Sequence, residues 1–176
     1  PNGAYGNLKL PEAETLIFKN ATVWTNETQG VLKNMDVLVK HGKISAIGQN
    51  LNSKKARVID ATGKHLTSGI VDEHSHIAAA SINEAGQNSS AEVSIEDVVE
   101  ADDVDIYRNL SGGVTTIQIL HGSANPIGGR SAIIKLKWGM AAEDLIYENS
   151  PKFIKFALGE NVKQSNWGGY SRFPQT

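Results

Sequence analysis

The 176-residue chain is 40% apolar and 20% charged and has a formal net charge of -2 at pH 7. This composition is typical of a globular protein with room for one domain and part of a second, and its scattered charges exclude an electrostatic surface for nucleic acid or for an anionic membrane. The chain has no cysteine, which excludes disulfides and thiolate metal sites, and it shows neither a signal peptide nor an apolar run near the roughly 18 residues of a membrane span.

The first third of the chain is predicted to be rich in β-structure. Residues 1–14 are polar and rich in Gly, Pro and Asn, and predict an extended lead-in. Residues 15–66 contain short β-rich runs separated by turn signals, which predict one half of a β-sandwich subdomain. Lys19-Asn20 is one predicted turn. His41-Gly42 separates two β-rich runs at the two-residue spacing of a tight hairpin, so we expect His41 to be a turn residue.

The pattern changes at Gly69 and predicts a second architecture for residues 67–176. Ile70-Val71 begins an apolar strand of the kind that is buried on both faces in a parallel sheet. Strands and helices then alternate, which predicts parallel βα units. The further predicted elements are a helix that begins after Ser94 and stops at Gly112-Gly113, strands at residues 114–120, 131–138 and 152–158, and a short helix at residues 140–148.

Two of the five histidines lie at the end of the first strand of this second region. Side chains alternate between faces along a strand, so Asp72, His74 and His76 are predicted to share one face. Two imidazoles at this spacing can reach one ion at the roughly 2 Å of a His–Zn bond. The alternative is a pair of solvated or hydrogen-bonded polar residues at a strand end. The preceding glycine and apolar strand favour a metal site, because the C-terminal end of a barrel strand is where barrel enzymes place their chemistry.

Three segments form a specific pattern when they are taken in order. Residues 58–63 read VIDATG, residues 66–76 read LTSGIVDEHSH, and residues 113–116 read GVTT. Together they resemble the metal-dependent amidohydrolase superfamily. Its members close a hairpin with ID-x-x-G, enter barrel strand 1 through PG-hydrophobic-hydrophobic-D-x-H-x-H, and open strand 2 with GVTT. Ser68 stands where the family usually has Pro, at a position that shapes the strand entry and binds no metal.

This resemblance implies both a fold and a chemistry. The expected fold is α/β: the N-terminal part of a (β/α)8 TIM barrel, preceded by half of a small β-sandwich. One or two divalent ions, zinc foremost, would activate a water for attack on a cyclic or linear amide or a peptide-like small molecule, and an aspartate of strand 8 would move protons. His74 and His76 would be the strand 1 metal ligands.

The resemblance adds three candidate site residues. Residues 153–157, FIKFA, resemble the strand 4 pattern of hydantoinase-like members, whose carbamylated lysine bridges two metals, so Lys155 is a candidate ligand and a solvated Lys155 is the alternative. Glu160 is the rival ligand, because some relatives use a carboxylate at this stage of the barrel. His121, at the end of the second predicted strand, is either substrate-binding or a strand cap. The loop at residues 122–130 resembles that of imidazolonepropionase-like members.

The resemblance covers nearly all of the chain but less than half of such an enzyme, because a complete barrel needs roughly 250 residues. The later metal ligands and the strand 8 aspartate are expected in a missing C-terminal part, so the catalytic residue stays unassigned and the fragment alone is expected to be inactive. Exposed strand edges predict a homo-oligomer. A non-catalytic binding or structural module with the same fold is the alternative function. The compartment stays open between a bacterial cytoplasm and periplasm.

Overall fold

The computed structural model describes residues 12–164, which form two compact units, residues 12–68 and residues 69–164. Together the described residues make a mixed α/β fold that consists mostly of strands. No helix among them is long and apolar enough to cross a membrane. The strands of the first unit are β1 Leu16–Trp24, β2 Val31–Lys40, β3 Lys43–Gly48, β4 Arg57–Asp60 and β5 His65–Leu66.

The first unit is one five-stranded sheet in the order β3-β2-β1-β4, with β5 also paired to β1. Neighbours along the chain are antiparallel in β1–β2 and β2–β3, whereas β4 and β5 run parallel to β1. The small core of this unit consists of Ala21, Val23, Val37 and Ala61.

The predicted turn at Lys19-Asn20 is wrong, because β1 continues through it with a bulge. Asn20 has a φ of 60°, and the pairing with β2 shifts register between Phe18 and Ala21. The buried Asp36 carboxylate accepts hydrogen bonds from the Asn20 N–H at 3.0 Å and from the Lys19 ammonium at 2.7 Å. This tertiary contact stabilises the extra residue within the strand, which a local turn signal could not indicate.

The predicted hairpin at His41-Gly42 is confirmed. The two residues connect β2 to β3 and have φ values of 49° and 70°. Positive φ at both central residues defines the mirror-image turn whose twist matches that of the flanking strands.

The second unit contains a three-stranded sheet in the order β6-β7-β9 and a two-stranded sheet of β8 and β10. Its apolar core is built around Ile106, Ile117, Ile119, Ile134 and Leu145. The elements of this unit are β6 Ile70–Ser75, a 3-10 turn Ile95–Val98, α1 Val104–Ser111, β7 Val114–Ile119, β8 Ile127–Arg130, β9 Ala132–Lys135, α2 Ala142–Leu145, β10 Ile154–Phe156 and α3 Glu160–Lys163.

The parallel arrangement expected for the second unit holds for one of its strand pairs. β6 and β7 are parallel, but β9 is antiparallel to β7 and β10 is antiparallel to β8. A parallel pair needs a crossover connection of about a dozen residues, and α1 lies in the one that joins β6 to β7. The described sheets have five, three and two strands, so the eight-stranded barrel stays a prediction.

The single helix predicted after Ser94 is also wrong. The Ser94 hydroxyl caps the 3-10 turn by accepting from the Glu96 N–H, and the chain then leaves the helical conformation at Val99. A second cap follows, because the Asp103 carboxylate accepts from the Asp105 N–H and starts α1. Two N-cap signals in succession therefore divide the segment into two short elements.

The expectation that Ile70 and Val71 are buried on both faces is not met. Their exposed fractions are 55% and 62% within the described chain. β6 is the edge strand of its sheet, so one side of its backbone lacks a paired strand among residues 12–164.

Candidate metal centre

The strand that leads to the histidine pair is held in place by a close approach between Gly69 and the side chain of Thr115. A Cβ atom at Gly69 would overlap the side chain of Thr115, and the Ile70 N–H donates to the Gly113 carbonyl at 2.9 Å. Ile70 therefore pairs with Val114 at the start of two parallel strands. This register brings the C-terminal ends of the two parallel strands to the same edge of the sheet, where Ser75 pairs with Ile119.

His74 and His76 lie at that edge, with ring centroids 5.3 Å apart and ring planes at 87°. Both side chains are exposed. The Asp72 carboxylate accepts from the backbone N–H of His74 at 3.1 Å, so it stabilises the end of the strand from within. The two imidazoles are thus adjacent and open to an incoming ion.

The orientation of the His76 ring is fixed by a backbone carbonyl. Its Nδ1 lies 3.0 Å from the Leu120 oxygen, just beyond β7. A carbonyl oxygen only accepts, so Nδ1 carries the proton in this hydrogen bond and the Nε2 lone pair is left for a ligand bond. Metal-binding histidines commonly donate their second N–H in this way. His76 therefore fits the role of a metal ligand on its own geometry.

The electrostatic surroundings of His76 favour its neutral form. Partial desolvation of the exposed His76 ring lowers its pKa, the hydrogen bond to Leu120 raises it, and the positive charges of His74, Lys155 and His121 lower it further, so that the pKa falls below its usual value. Neutral imidazole is the form that binds metal. The same interactions show that Lys155 and His121 lie within electrostatic reach of His76.

The two rival ligands, Lys155 within the fourth predicted strand and Glu160 just after it, lie in different settings. Lys155 is half-buried in β10, which pairs with β8. Glu160 begins α3, is exposed, and forms a 4.0 Å ion pair with Lys163. Of the two, Lys155 is the residue whose charge contributes to the lowered pKa of His76.

His121 is almost completely buried, with an exposed fraction of 2%. Its Nδ1 donates to the Gly122 carbonyl at 2.9 Å, and its Nε2 lies 3.4 Å from the Ser90 hydroxyl, a long hydrogen bond. The ring also forms part of the wall of a pocket of about 150 Å³. The other residues that line this pocket are Ser81, Ile82, Asn83, Glu84, Val93, Ser94, Ile95 and Val98.

The loop at residues 122–130 is tied to the loop at residues 81–90 by Asn125. Its side chain is fully buried, donates to Glu84 and to the Gln87 carbonyl, and accepts from the Ala85 N–H. The Gln87 N–H holds the pKa of Glu84 below its usual value, against the opposing effect of burial, and Asn125 and the Gly86 N–H add to the lowering. Both loops are thus stabilised as one structure.

Sequence reasoning identified the charged candidates but missed the groups that hold them. Within residues 12–164, no three His, Cys, Asp or Glu side chains are grouped closely enough to hold a metal ion. The missed groups are the Leu120 carbonyl, which holds His76, and the Ser90 hydroxyl, which faces His121. The glycine pair Gly128-Gly129 could have indicated the packed ring of His121 from the sequence, because glycine within a strand often marks a place where another group approaches the backbone closely.

No model of a known protein family matches the chain. The amidohydrolase tasK of Hapsidospora irregularis is 31% identical over 183 aligned positions, which cover 84% of this chain and 19% of that protein. A dihydroorotase of Halalkalibacterium halodurans is 50% identical over 64 residues, which cover 36% of this chain and 14% of that protein.

Among solved structures, an amidohydrolase from Thermotoga maritima is 39% identical and superposes with a TM-score of 0.73, covering 85% of this chain and 40% of that chain. The present chain thus spans well under half the length of the relatives that it matches.

Proposed function

This chain belongs to the amidohydrolase superfamily, and on that premise we propose that it supplies one part of the active site of a metal-dependent hydrolase of amide bonds. The observation that carries the proposal is the adjacent pair His74 and His76, with the His76 Nδ1 bonded to the Leu120 carbonyl. This arrangement leaves Nε2 of His76 available to an ion and fixes the direction in which it points.

The residues of this chain that would hold the ion are His74 and His76, with Lys155 as a third ligand. Lys155 is favoured over Glu160 by its charge interaction with His76 and by its half-buried position in β10. A divalent metal, zinc foremost, would supply Lewis acidity that brings the pKa of a bound water to about 7. A carbamylated Lys155 would offer carboxylate-like oxygen ligands, as in the hydantoinase-like pattern that its segment resembles.

We infer that the remaining machinery lies elsewhere in the full-length protein. The proton-transferring aspartate that the resemblance implies is proposed there, together with the strands that would complete a (β/α)8 barrel and a β-sandwich. The chain by itself is proposed to be inactive. The share of the relatives that it spans, between 14% and 40%, supports this division.

The proposed substrate is a cyclic or linear amide or a peptide-like small molecule. The relatives named amidohydrolase and dihydroorotase support this class of chemistry. The pocket beside His121, whose accessible surface is mostly apolar although polar residues also line it, is the candidate place for the part of the substrate away from the scissile bond. Homo-oligomer formation through exposed strand edges is proposed as well, because β6 is an edge strand with an exposed apolar side chain at Val71.

The test is the metal content of the full-length protein, measured by elemental analysis. We expect the wild type to retain zinc and the His74→Ala/His76→Ala double variant to lose it together with amide hydrolysis. His41→Asn is the matched control, since it removes one histidine from the hairpin of the first unit and asparagine tolerates its positive φ. Equal metal content in the wild type and the double variant would overturn the site, and absence of metal from both would favour a non-catalytic module.

A further inference from the structure

His121 is a buried histidine whose surroundings connect the segments that carry the candidate ligands. Both ring nitrogens have partners inside the protein, Nδ1 at the Gly122 carbonyl and Nε2 at the Ser90 hydroxyl. Ser90 is itself fully buried and is anchored by its own N–H, which donates to the Ile127 carbonyl at 2.9 Å. The ring is therefore fixed from two sides.

The first connection runs through one peptide group to His76. The carbonyl that accepts from the His76 ring belongs to the peptide unit that joins Leu120 to His121. On one side of it, the Leu120 N–H donates to the Ser75 carbonyl at 3.0 Å. On the other side, the His121 ring is buried and has a partner at each nitrogen. A peptide unit is planar and moves as one body, so the Leu120 carbonyl can turn away from His76 only if the whole unit rotates about its Cα–Cα axis, and the anchored groups on both sides oppose that rotation.

The second connection runs through Gly128 to Lys155. A Cβ atom built at Gly128 would lie 2.9 Å from Nδ1 of His121 and 3.2 Å from Cβ of Lys155. The imidazole of His121 and the side chain of Lys155 therefore both pack against the β8 backbone at Gly128, which has no side chain of its own. At Gly129 a Cβ would lie 3.0 Å from Cδ2 of His121, so the ring packs along both glycines.

We propose that His121 is a positioning residue of the metal centre, which directs the Leu120 carbonyl toward His76 and packs against the strand that carries Lys155. This inference rests on the proposed function, because it takes His76 and Lys155 as metal ligands. It gives His121 a different role from the substrate contact expected from the sequence. The ring has no free nitrogen to offer a substrate, since its two nitrogens face Gly122 and Ser90.

The test uses two variants and a matched control in the purified protein. His121→Phe keeps a planar ring against Gly128 and removes both hydrogen bonds. Ser90→Ala removes only the hydroxyl that faces Nε2. Ser131→Ala is the control, because Ser131 is also a buried serine, but its hydroxyl accepts from Gln118 and donates to the Phe153 carbonyl and does not contact His121. The first readout is the tautomer of His76 in metal-free protein, from long-range proton–nitrogen NMR correlations at a pH well above the ordinary histidine pKa of about 6.5.

We expect the His76 ring to be protonated at Nδ1 in the wild type and in Ser131→Ala, and to become a tautomer mixture in His121→Phe and Ser90→Ala. Zinc affinity, measured by competition with a chelator, should fall about 10- to 100-fold in the same two variants. A wild-type tautomer other than Nδ1–H, or unchanged tautomer and affinity in a folded Ser90→Ala or His121→Phe variant, would overturn the proposal. If His121→Phe does not fold, the proposal is tested by the His76 tautomer in the wild type and by the tautomer and zinc affinity of Ser90→Ala.

The metal site and the positioning role of His121 can be disproved separately. If His74→Ala/His76→Ala retains zinc, the proposed metal site is wrong, whatever the tautomer of His76. If that double variant loses zinc while His121→Phe and Ser90→Ala bind it as the wild type does, the site stands and the positioning role of His121 is wrong.

Discussion

Gly69 lies directly against the side chain of Thr115, so closely that a Cβ atom at position 69 would fall 2.7 Å from Cβ of Thr115 and would overlap its two outer atoms. The glycine that opens the histidine-bearing strand and the first threonine of GVTT are therefore one packing unit. Their contact sets the register of β6 on β7, which places His76 beside Leu120.

The first prediction follows from this contact. Gly69→Ala should lower the free energy of unfolding by about 1–3 kcal/mol, because the added methyl group must displace Thr115 or the strand. Urea unfolding followed by circular dichroism measures the change. Gly48→Ala is the control, since its Cβ would meet Leu51 at an ordinary 3.6 Å, and should change stability by no more than about 0.5 kcal/mol. A Gly69→Ala protein as stable as the wild type would contradict the prediction, because it would show that Thr115 or the strand can move aside at little cost in free energy.

Features that depend on residues near each other in the chain could be predicted from the sequence. The His41-Gly42 hairpin is of this kind, because its turn geometry is set by two residues. The proximity of His74 and His76 is another, since a spacing of two residues at the end of an extended segment places the two side chains together.

Features that depend on distant residues could not be predicted in the same way. The bulge at Asn20 is stabilised by Asp36, 16 residues away, and no local pattern reports that contact. The burial of His121 depends on Ser90, 31 residues earlier, and on two glycines that leave room for its ring. A histidine at a strand end looks the same in sequence whether it faces solvent or the interior.

The second prediction concerns the pH dependence of the first unit. Burial alone would raise the pKa of Asp36, but the Lys19 ammonium and the backbone N–H groups of Asn20 and Leu51 together lower it below its usual value. A lowered folded-state pKa adds stability that is fully present above the unfolded value of about 3.9 and is lost as the pH falls through the folded value. Asp36 should therefore stabilise the unit at neutral pH and stop doing so in acid.

Asp36→Asn should cost about 1–3 kcal/mol of unfolding free energy at pH 7, because it weakens a buried, charge-assisted hydrogen-bond network. Urea titrations between about pH 7 and pH 3 should show the difference from the wild type shrinking below about pH 4. Glu27→Gln, which changes an exposed carboxylate of the same unit, should follow the wild type. A difference between Asp36→Asn and the wild type that is constant down to pH 3 would contradict the assignment.

The third prediction tests the exposed edge of β6. Val71 is 62% exposed on an edge strand, and an apolar edge strand favours pairing with another chain. Sedimentation velocity of the 176-residue chain should show concentration-dependent association, and Val71→Lys should reduce it by placing a charge on the edge. Leu158→Lys is the comparison variant, because it places the same charge on an exposed apolar residue that lies outside the strands. A chain that stays monomeric across the concentration series would contradict the proposed association through β6.

The last prediction separates Lys155 from Glu160 as the third metal ligand. Lys155 interacts electrostatically with His76, whereas Glu160 is an exposed residue paired with Lys163. In the full-length protein, Lys155→Met should therefore lower the zinc content or affinity, and Glu160→Gln should leave both within about twofold. Methionine keeps the length and apolar character of the lysine stem against Gly128, so the loss would report on the amine itself.

Carbamylation adds a second readout to this comparison. A lysine that binds metal as a carbamate must first react with carbon dioxide, and its nitrogen gains a carboxylate in exchange for a proton. Zinc reconstitution of the wild type should then be faster or more complete with added bicarbonate, and Lys155→Met should show no such response. If Glu160→Gln loses zinc while Lys155→Met keeps it, the carboxylate is the ligand and α3 must approach the histidine pair in the assembled enzyme.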